Sequence, residues 1–325
     1  MVGRRRHPSA VVSLGVRVAV VDIGTNSTRL LVADVLDGAV TELDRRSTVT
    51  RLGEAVDATG RLGDEPMGRV LHTLDDYGAR IDALDACARV AVLTSAVRDA
   101  DNGPAFAETV RERYGLDART ITGDQEASLT FAGATSERAS DDREVVVIDI
   151  GGGSTEFVVG HDEDVTFHVS TQAGVVRQTE RHLHTDPPPA EQVAELAEEV
   201  RAIVEREVPA DVRSRVQAAI AVAGTATSAG AIDLALDPYD PARVHGHVLT
   251  RTTLERMLAR LAAMTNAQRR DVVGLHPDRA PTIVAGVAML VVALRAFGLD
   301  EVEVSEHDIL RGAAIARAHR DDWAG

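Results

Sequence analysis

The sequence predicts an α/β protein made of two related lobes, and two observations carry this prediction. The first is an internal repeat: residues 17–34 read RVAVVDIGTNSTRLLVAD, and residues 144–160 read EVVVIDIGGGSTEFVVG. Two copies this far apart indicate two related domains, because tandem solenoids repeat every ~20–50 residues. The second observation is that β-branched runs alternate with helical periodicity, which is typical of helices packed outside a sheet.

Each copy of the repeat predicts a β-hairpin. At a constant offset Asp22 aligns with Asp149, and Ser27 aligns with Ser154. In both copies an apolar strand ends in Asp-Ile-Gly, small residues form the turn, and a second apolar run follows a threonine. We therefore expect the same turn to occur once in each lobe.

Between the hairpins, apolar spacing and helix-terminating residues predict alternating elements. These are a helix from Asp64, a buried strand over residues 88–93, a helix between Asn102 and Gly115, a short strand over residues 120–122 and a helix with Asp124 as its N-cap.

After the second hairpin the pattern becomes more helical. The predicted elements are a proline-rich connector at residues 186–189, an acidic helix from Ala190, a strand over residues 218–223, a tight turn at residues 224–226, a helix from Ser228 and, beyond Arg251, mainly helices with a strand over residues 301–304.

The polar segment 135–143 marks the expected boundary between the lobes. We predict a disordered extension at residues 1–15, an N-terminal lobe at residues 16–135 and a C-terminal lobe at residues 136–325. The last helix of the second lobe is free to pack back on the first lobe.

Composition excludes several classes of function. The 325 residues include 35 basic and 51 acidic ones, and the formal charge of −16 disfavours a nucleic-acid or membrane-surface binder. Every basic residue is arginine, so the chain has neither a Walker-type P-loop lysine nor a lysine for a Schiff base. No apolar stretch reaches the ~18 residues of a membrane span. The N-terminus is too short and broken for a signal peptide, so we expect a cytoplasmic protein.

The single cysteine, Cys87, excludes an internal disulfide and a cysteine-based zinc cluster. Because it lies in an apolar stretch, we expect a buried and unreactive thiol.

The two turns of the repeat are suited to phosphate. Successive small residues present backbone N–H groups and hydroxyls without a bulky side chain, and such turns bind phosphate oxygens without lysine. An ordinary hairpin turn explains either loop alone equally well, whereas two matching loops after aspartates favour a phosphate site. Asp22 and Asp149 are the hard oxygen ligands that Mg²⁺ prefers.

These motifs resemble those of a known superfamily. DIGTNS, DIGGGSTE and the later AGTATSAG are similar to the glycine motifs of the acetate kinase, sugar kinase, Hsp70 and actin superfamily. Within it, TSAVRDA, ITGDQEA, AGVVRQTER and SEHDILRGAA resemble the exopolyphosphatase and guanosine pentaphosphate phosphohydrolase family. The resemblance runs from about Arg17 to Ala316. It implies two actin-like, ribonuclease H-like lobes with the active site in the cleft between them.

The resemblance also implies roles for acidic residues. Glu126, in the GDQEA segment, falls on the family's catalytic glutamate, which would deprotonate water; a helix-terminal carboxylate is the alternative. Asp149 and Glu156 match the metal-associated acids, with Asp22 beside them, and imply Mg²⁺ or Mn²⁺. One extended strand would place Asp149 and Glu156 on opposite faces, so we expect the turn to bring them together. An exposed strand position is the alternative for Glu156.

Phosphate contacts are expected from both glycine loops and from arginines, whose guanidinium groups bind phosphate oxygens in pairs. A surface salt bridge is the alternative for any single arginine. The candidate phosphate-binding residues are Gly24, Thr25, Asn26, Ser27, Arg29, Arg98, Gly151, Gly152, Gly153, Ser154, Thr155 and, as a weaker candidate, Arg279.

Two other constellations are interpreted as structural. The histidine pairs His182 with His184 and His245 with His247 lack a matching third metal ligand and are expected at the surface. Residues 305–308 contain the residue types of a catalytic triad, but adjacent residues do not converge on one centre. We interpret this segment as a strand-to-helix cap.

The predicted function is release of the terminal phosphate from inorganic polyphosphate by Mg²⁺-assisted water attack. The chain ends soon after its last actin-like helix, which favours short polyphosphate chains. Three alternatives stay open: hydrolysis of the 5′ γ-phosphate of pppGpp, phosphate transfer by a kinase of the same superfamily, and binding of (p)ppGpp or polyphosphate without hydrolysis. The resemblance also implies a homodimer.

The formal charge of −16 repels a polyanionic substrate, so local groups must capture it. We therefore expect that lowering the ionic strength does not improve the Michaelis constant for polyphosphate.

Overall fold

The computed structural model describes residues 15–138, 142–162 and 164–319. The predicted extension at residues 1–15 lies, except for Gly15, outside the described residues. Two mixed β-sheets with helices around them form the two lobes, so the predicted α/β fold class is confirmed. None of the described helices is both long and apolar enough to cross a membrane.

Five strands form the first sheet: β1 (Val16–Ile23), β2 (Ser27–Leu36), β3 (Ala39–Val49), β4 (Ala88–Leu93) and β5 (Asp117–Thr120). Their order is β3-β2-β1-β4-β5. Strand β1 pairs antiparallel with β2 and parallel with β4. The first hairpin and the strand over residues 88–93 are confirmed, whereas the strand expected over residues 120–122 occurs earlier, as β5.

Six strands form the second sheet: β6 (Val145–Ile150), β7 (Thr155–His161), β8 (Asp164–Thr171), β9 (Ala218–Val222), β10 (Val248–Thr250) and β11 (Glu301–Val304). Their order is β10-β11-β9-β6-β7-β8. Strands β8-β7-β6-β9-β11 repeat the order and pairing directions of β3-β2-β1-β4-β5. The internal repeat therefore extends from one hairpin to a five-stranded unit.

Helices surround both sheets, and some of them are single turns. They are α1 (Val56–Thr59), α2 (Asp64–Ala83), α3 (Ser95–Arg98), α4 (Gly103–Tyr114), α5 (Gly123–Thr135), α6 (Val175–His182), α7 (Ala190–Glu207), α8 (Ala210–Arg215), α9 (Ala223–Asp233), α10 (Pro241–Val244), α11 (Arg251–Ala262), α12 (Asn266–Arg269), α13 (Ile283–Phe297) and α14 (Ile309–His319), with a 3₁₀ turn at Pro277–Arg279.

Two predicted helix starts are wrong. Helix α5 begins with a capping box at Thr122, not with an Asp124 cap: the Thr122 hydroxyl accepts from the Gln125 N–H at 3.2 Å, and the Gln125 side chain accepts from the Thr122 N–H at 2.9 Å. Helix α9 follows β9 directly at Ala223, so the turn expected at residues 224–226 is its first turn. The start of α9 therefore lies at the end of a central strand.

Helices α5 and α14 each cover the sheet of the other half of the chain. Helix α14 buries Leu310 and Ala313 against strands β1, β2 and β4 of the first sheet. Helix α5 buries Ala127 and Phe131 against strands β6, β7 and β9 of the second sheet. This exchange joins the two lobes, and the division at residues 135 and 136 stays a prediction.

The prediction of a buried thiol is wrong. Cys87 is exposed, because it precedes β4 instead of lying within it. Its Sγ lies 3.4 Å from the carbonyl oxygen of Arg17.

Candidate functional site

The two glycine loops have the same turn and face each other between the lobes. The N–H of Gly24 donates to the carbonyl of Ser27 at 3.0 Å, and the N–H of Gly151 donates to that of Ser154 at 2.9 Å. A Cβ atom at Gly152 would lie only 2.8 Å from the Cβ of Asn26. Glycine at this position therefore lets the two loops approach.

A cavity of about 120 Å³ lies between the loops. Most of the predicted site residues line it, together with Ser47, Thr94, Ser95, Thr130, Gly224 and Thr225, which were not predicted individually. The predicted residues that line it are Asp22, Gly24, Thr25, Asn26, Ser27, Arg29, Glu126, Asp149, Gly151, Gly152, Gly153, Ser154, Glu156 and Arg279.

Thr155 and Arg98 are not among the residues that line this cavity. The Thr155 hydroxyl is buried and donates to the carbonyl of Ala173 at 2.5 Å. The Arg98 guanidinium lies beside Glu126 instead, with Nη1 3.1 Å from Glu126 Oε2. A phosphate contact from either side chain stays a prediction.

In the first hairpin, the aspartate at the end of β1 pairs with an arginine. Asp22 and Arg29 are cross-strand partners, and Arg29 Nε donates to Asp22 Oδ2 at 2.8 Å. Arg29 Nη2 lies 2.6 Å from the same oxygen, and Nη1 bonds Asp308. Burial lowers the pKa of Arg29, but the Asp308 and Asp22 carboxylates outweigh it and raise that pKa above its ordinary value. The guanidinium is therefore permanently charged.

In the second hairpin, the equivalent aspartate faces another acid. Asp149 and Glu156 are cross-strand partners on β6 and β7, so pairing between the strands places both on one face of the sheet. The turn at residues 151–154 reverses the chain between the two strands, so the expectation that the turn brings the two acids together is confirmed. Glu156 is partly buried and accepts a hydrogen bond from Ser170 at 2.7 Å, which also excludes the exposed strand position.

Burial and neighbouring charge both disfavour ionisation in the second hairpin. Burial raises the pKa of Asp149 to about 7, and the Asp308, Glu126 and Asp22 carboxylates add to the rise against the opposing effect of Arg29. Burial raises the pKa of Glu156 to about 8, with further contributions from Glu126 and Asp149. Among the described residues, neither acid forms an ion pair like the one between Asp22 and Arg29.

Glu126 lies in the first turn of α5, where the helix dipole favours a carboxylate. Burial raises the pKa of Glu126, and the hydrogen bond from Arg98 opposes this rise. Arg98 Nη1 also donates to the carbonyl of Ile121 at 2.9 Å, which fixes the guanidinium. The carboxylate is thus oriented and is a stronger base than an exposed glutamate.

Four carboxylates line this cavity and are the candidate ligands for a divalent cation. The charge of Asp22 raises the pKa of Glu126 and of Asp149. The charges of Glu126 and Asp149 raise the pKa of Glu156. In addition, Asp22 Oδ1 is buried and has no hydrogen-bond partner among the described residues. Carboxylate oxygens are the ligands that Mg²⁺ and Mn²⁺ prefer, and Asp149, Glu156 and Asp22 would hold the ion.

A larger cavity of about 1000 Å³ adjoins the first one. The two share Arg29, Ser47, Ala223, Gly224 and Arg279. A Cβ atom at Gly224 would lie 1.9 Å from the terminal nitrogens of Arg279, so the guanidinium lies directly against the first turn of α9. A helix N-terminus beside an arginine is a favourable position for an anion.

Comparisons with known proteins identify the family. The sequence model of the Ppx/GppA phosphatase family matches residues 31–316. The chain belongs to this family. Exopolyphosphatase 2 of Mycobacterium tuberculosis is 37% identical over 318 residues, which cover 93% of this chain and 98% of that protein. Exopolyphosphatase 1 of the same organism is 30% identical over 311 residues, which cover 93% of this chain and 88% of that protein.

The crystal structure of the Aquifex aeolicus Ppx/GppA family member is similar throughout. It matches with a TM-score of 0.83 and 30% sequence identity, over 95% of this chain and 99% of that chain. The resemblance predicted from the motifs is therefore confirmed. As a member of the Ppx/GppA phosphatase family, the chain is a phosphoanhydride hydrolase.

Asp308 is a charged site residue that the sequence did not predict. Asp308 lies in the segment interpreted as a helix cap, and its Oδ1 does accept from the Leu310 N–H at 3.0 Å. Its Oδ2, however, bonds Arg29, which is 279 residues away in the chain. No local pattern indicated that pairing. By contrast, the AGTATSAG motif did point to Gly224.

Proposed function

We propose that this chain releases orthophosphate from the end of inorganic polyphosphate by water attack between the two glycine loops. The observation that carries the proposal is the cavity formed where the two loops meet, with carboxylates and arginines on its walls. Phosphoryl transfer depends on positioning and charge neutralisation more than on covalent chemistry by the protein. The two exopolyphosphatases among the relatives support polyphosphate as the substrate.

The loops and arginines would bind the terminal phosphate. Residues 24–27 and 151–154 line the cavity from opposite lobes, and their backbone N–H groups would donate to the phosphate, except those of Gly24 and Gly151, which donate within the turns. Arg29 and Arg279 contribute guanidinium groups, and the first turn of α9 contributes further N–H groups. These donors stabilise the charge that spreads over the phosphoryl oxygens in the transition state.

Glu126 would act as the general base. It takes a proton from water as the water oxygen forms a bond to the terminal phosphorus, and the bridging P–O bond breaks with its oxygen kept by the shortened chain. Arg98 orients the carboxylate through its 3.1 Å contact. A divalent cation held by Asp149, Glu156 and Asp22 would supply further neutralisation of phosphate charge.

We extend the proposal to short polyphosphate chains. Arg29, Arg45, Arg46, Arg270 and Arg279 line the adjoining cavity of about 1000 Å³. Only a few phosphate units beyond the terminal one would contact this cavity, while the formal charge of −16 repels the remainder of a long polymer. Comparison of phosphate release from tripolyphosphate and from long chains tests this, and faster, processive release from long chains would contradict it.

The substitution E126Q tests the assigned base. We expect phosphate release to fall by about 10²-fold or more, while tripolyphosphate binding by isothermal titration calorimetry is retained. Asp124→Asn is the matched control, because it changes an exposed acid in the same helical turn. Unchanged phosphate release by E126Q would refute the assignment.

A second candidate function is hydrolysis of pppGpp. The larger cavity is lined by Tyr239, Val49 and Val273, whose side chains are exposed. An aromatic ring and apolar groups beside arginines suit a nucleobase joined to phosphates. We expect Tyr239→Ala to lower kcat/KM for pppGpp and not for tripolyphosphate if both substrates are used. ATP-dependent labelling of an acceptor would instead indicate a kinase.

Binding without hydrolysis has less support, because Glu126, Asp149 and Glu156 are all present at the cavity. A homodimer and a cytoplasmic location stay predictions. Light scattering on the purified chain tests the first, and cell fractionation tests the second.

A further inference from the structure

Arg29 is held from two sides by acids from opposite ends of the chain. Asp22 accepts from Nε at 2.8 Å and lies 2.6 Å from Nη2, while Asp308 bonds Nη1. Arginine has five N–H donors in one plane. The two carboxylates accept one N–H from each of the three nitrogens. Nη1 and Nη2 therefore each keep one further N–H. Arg29 lines both cavities, so its guanidinium lies at the phosphate site of the proposed function.

Asp308 is itself fixed in place. Its side chain is 4% exposed, and Oδ1 accepts from the Leu310 N–H at the start of α14. A Cβ atom at Gly133 would lie 2.0 Å from the carbonyl oxygen of Asp308, so the backbone there packs directly on α5. The crossing of α5 and α14 therefore sets the position of this carboxylate.

The negative charge of Asp308 is not explained by phosphate binding alone. Asp22 by itself balances Arg29, and a second buried acid beside a polyanion site opposes substrate binding. Arg45 Nη1 is 3.9 Å from Asp308 Oδ1 and offsets part of that charge. Asp308 adds a fixed orientation of the guanidinium plane. With Asp22 alone, the guanidinium of Arg29 would be free to rotate about its contact with that carboxylate.

We propose, resting on the proposed function, that Asp308 is a positioning residue that works with Asp22 to orient Arg29 toward the transferring phosphate. Its effect passes through Arg29, and it connects the start of the last helix to the active site.

A double-mutant cycle tests the proposal with the full chain: wild type, Asp308→Ser, Arg29→Ala and the double variant. Serine keeps an oxygen for the Leu310 N–H and so preserves the helix cap, but it is too short to reach Arg29. We expect D308S to lower kcat for tripolyphosphate at least tenfold with a smaller change in KM, and to change it less than twofold when Arg29 is already alanine. Equal effects in both backgrounds would overturn the proposal.

Two further variants separate positioning from a merely structural role. Asp308→Glu keeps a carboxylate acceptor for Arg29, so we expect its kcat to exceed that of D308S. Glu137→Gln breaks another carboxylate–arginine pair at the same junction, with Arg311, and does not touch Arg29. We expect E137Q to retain kcat whatever its melting temperature. A loss of kcat in E137Q equal to that in D308S would refute the proposal.

The same proteins distinguish failure of the inference from failure of the proposed function. Absence of phosphate release from wild type would refute polyphosphate hydrolysis. Tripolyphosphate affinity measured by calorimetry would then take the place of kcat in the cycle. Weaker binding in D308S only when Arg29 is present would support the positioning role, and additive losses would contradict it.

Discussion

The first and second hairpins have the same backbone but opposite chemistry at one cross-strand position. Asp22 faces Arg29 across the first hairpin, whereas the equivalent Asp149 faces Glu156 across the second. The first acid has a counter-charge at 2.6 Å, and the second acid has a neighbour of its own sign. The duplicated scaffold therefore provides an arginine for phosphate in one lobe and a carboxylate pair suited to a cation in the other.

The two loops also differ where they touch. Thr25 and Asn26 in the first loop occupy the positions of Gly152 and Gly153 in the second. The side chain of Asn26 fills the space that a Cβ at Gly152 would need. A side chain at position 152 would keep the loops further apart, so the glycine there allows the shared cavity.

The largest expected effect comes from making the second hairpin like the first. Glu156→Arg replaces a proposed metal ligand with a guanidinium group that pairs with Asp149. We expect phosphate release to fall by about 10²-fold or more and Mg²⁺ to lose its stabilising effect in thermal melts. Ser170→Ala is the control, because it removes only the hydrogen bond to Glu156 and should cost far less activity. Full activity of E156R would contradict the assignment of Glu156.

A smaller effect is expected from making the second loop like the first. Gly152→Thr introduces a side chain within 2.8 Å of Asn26 and pushes the loops apart. We expect kcat/KM for tripolyphosphate to fall about tenfold, since displaced donors no longer match the phosphate oxygens. The control is Gly153→Ala, whose added Cβ meets Thr25 at an ordinary 3.5 Å. Equal losses in both variants would show that contact between the loops is not the cause.

The smallest expected effect is a pH-dependent change in the melting temperature of the Glu156→Gln variant. Burial and neighbouring acids raise the pKa of Glu156 from its ordinary 4.5 to about 8, so the fold favours the protonated form. The stabilisation of the fold by the protonated Glu156 carboxyl is fully present below pH 4.5 and is lost as the pH rises through about 8. Glu156→Gln stays neutral, so in EDTA we expect it to melt about 5 °C above wild type at pH 8.5.

At pH 4 the same two proteins should melt together, because Glu156 is then protonated in both the folded and unfolded states. Added Mg²⁺ should stabilise wild type more than E156Q at pH 8.5. If the difference between the two proteins did not change with pH, the uncompensated charge assigned to the second hairpin would be refuted.

Several elements followed from local patterns. Both hairpins were predictable because apolar runs and Asp-Ile-Gly turns occur within short segments, and the bounds of β4 and β11 agree with prediction for the same reason. The N-cap of α5 was harder to predict, because Thr122 and Asp124 are both good capping residues. Only the reciprocal hydrogen bonds between Thr122 and Gln125 distinguish them. Exposure of Cys87 depends on where a strand begins, which apolar character alone does not define.

By itself, the sequence determined two related α/β lobes, an aspartate at the end of a strand in each, two phosphate-type loops and a glutamate at the start of a helix. Each of these features involves residues that lie within about one helix or strand of each other along the chain. Only the tertiary structure decided which ion pairs form: Glu126 with Arg98, and Arg29 with Asp308. The physical reason is that ion pairs depend on distance in space, and the partners here lie as far as 279 residues apart in the chain.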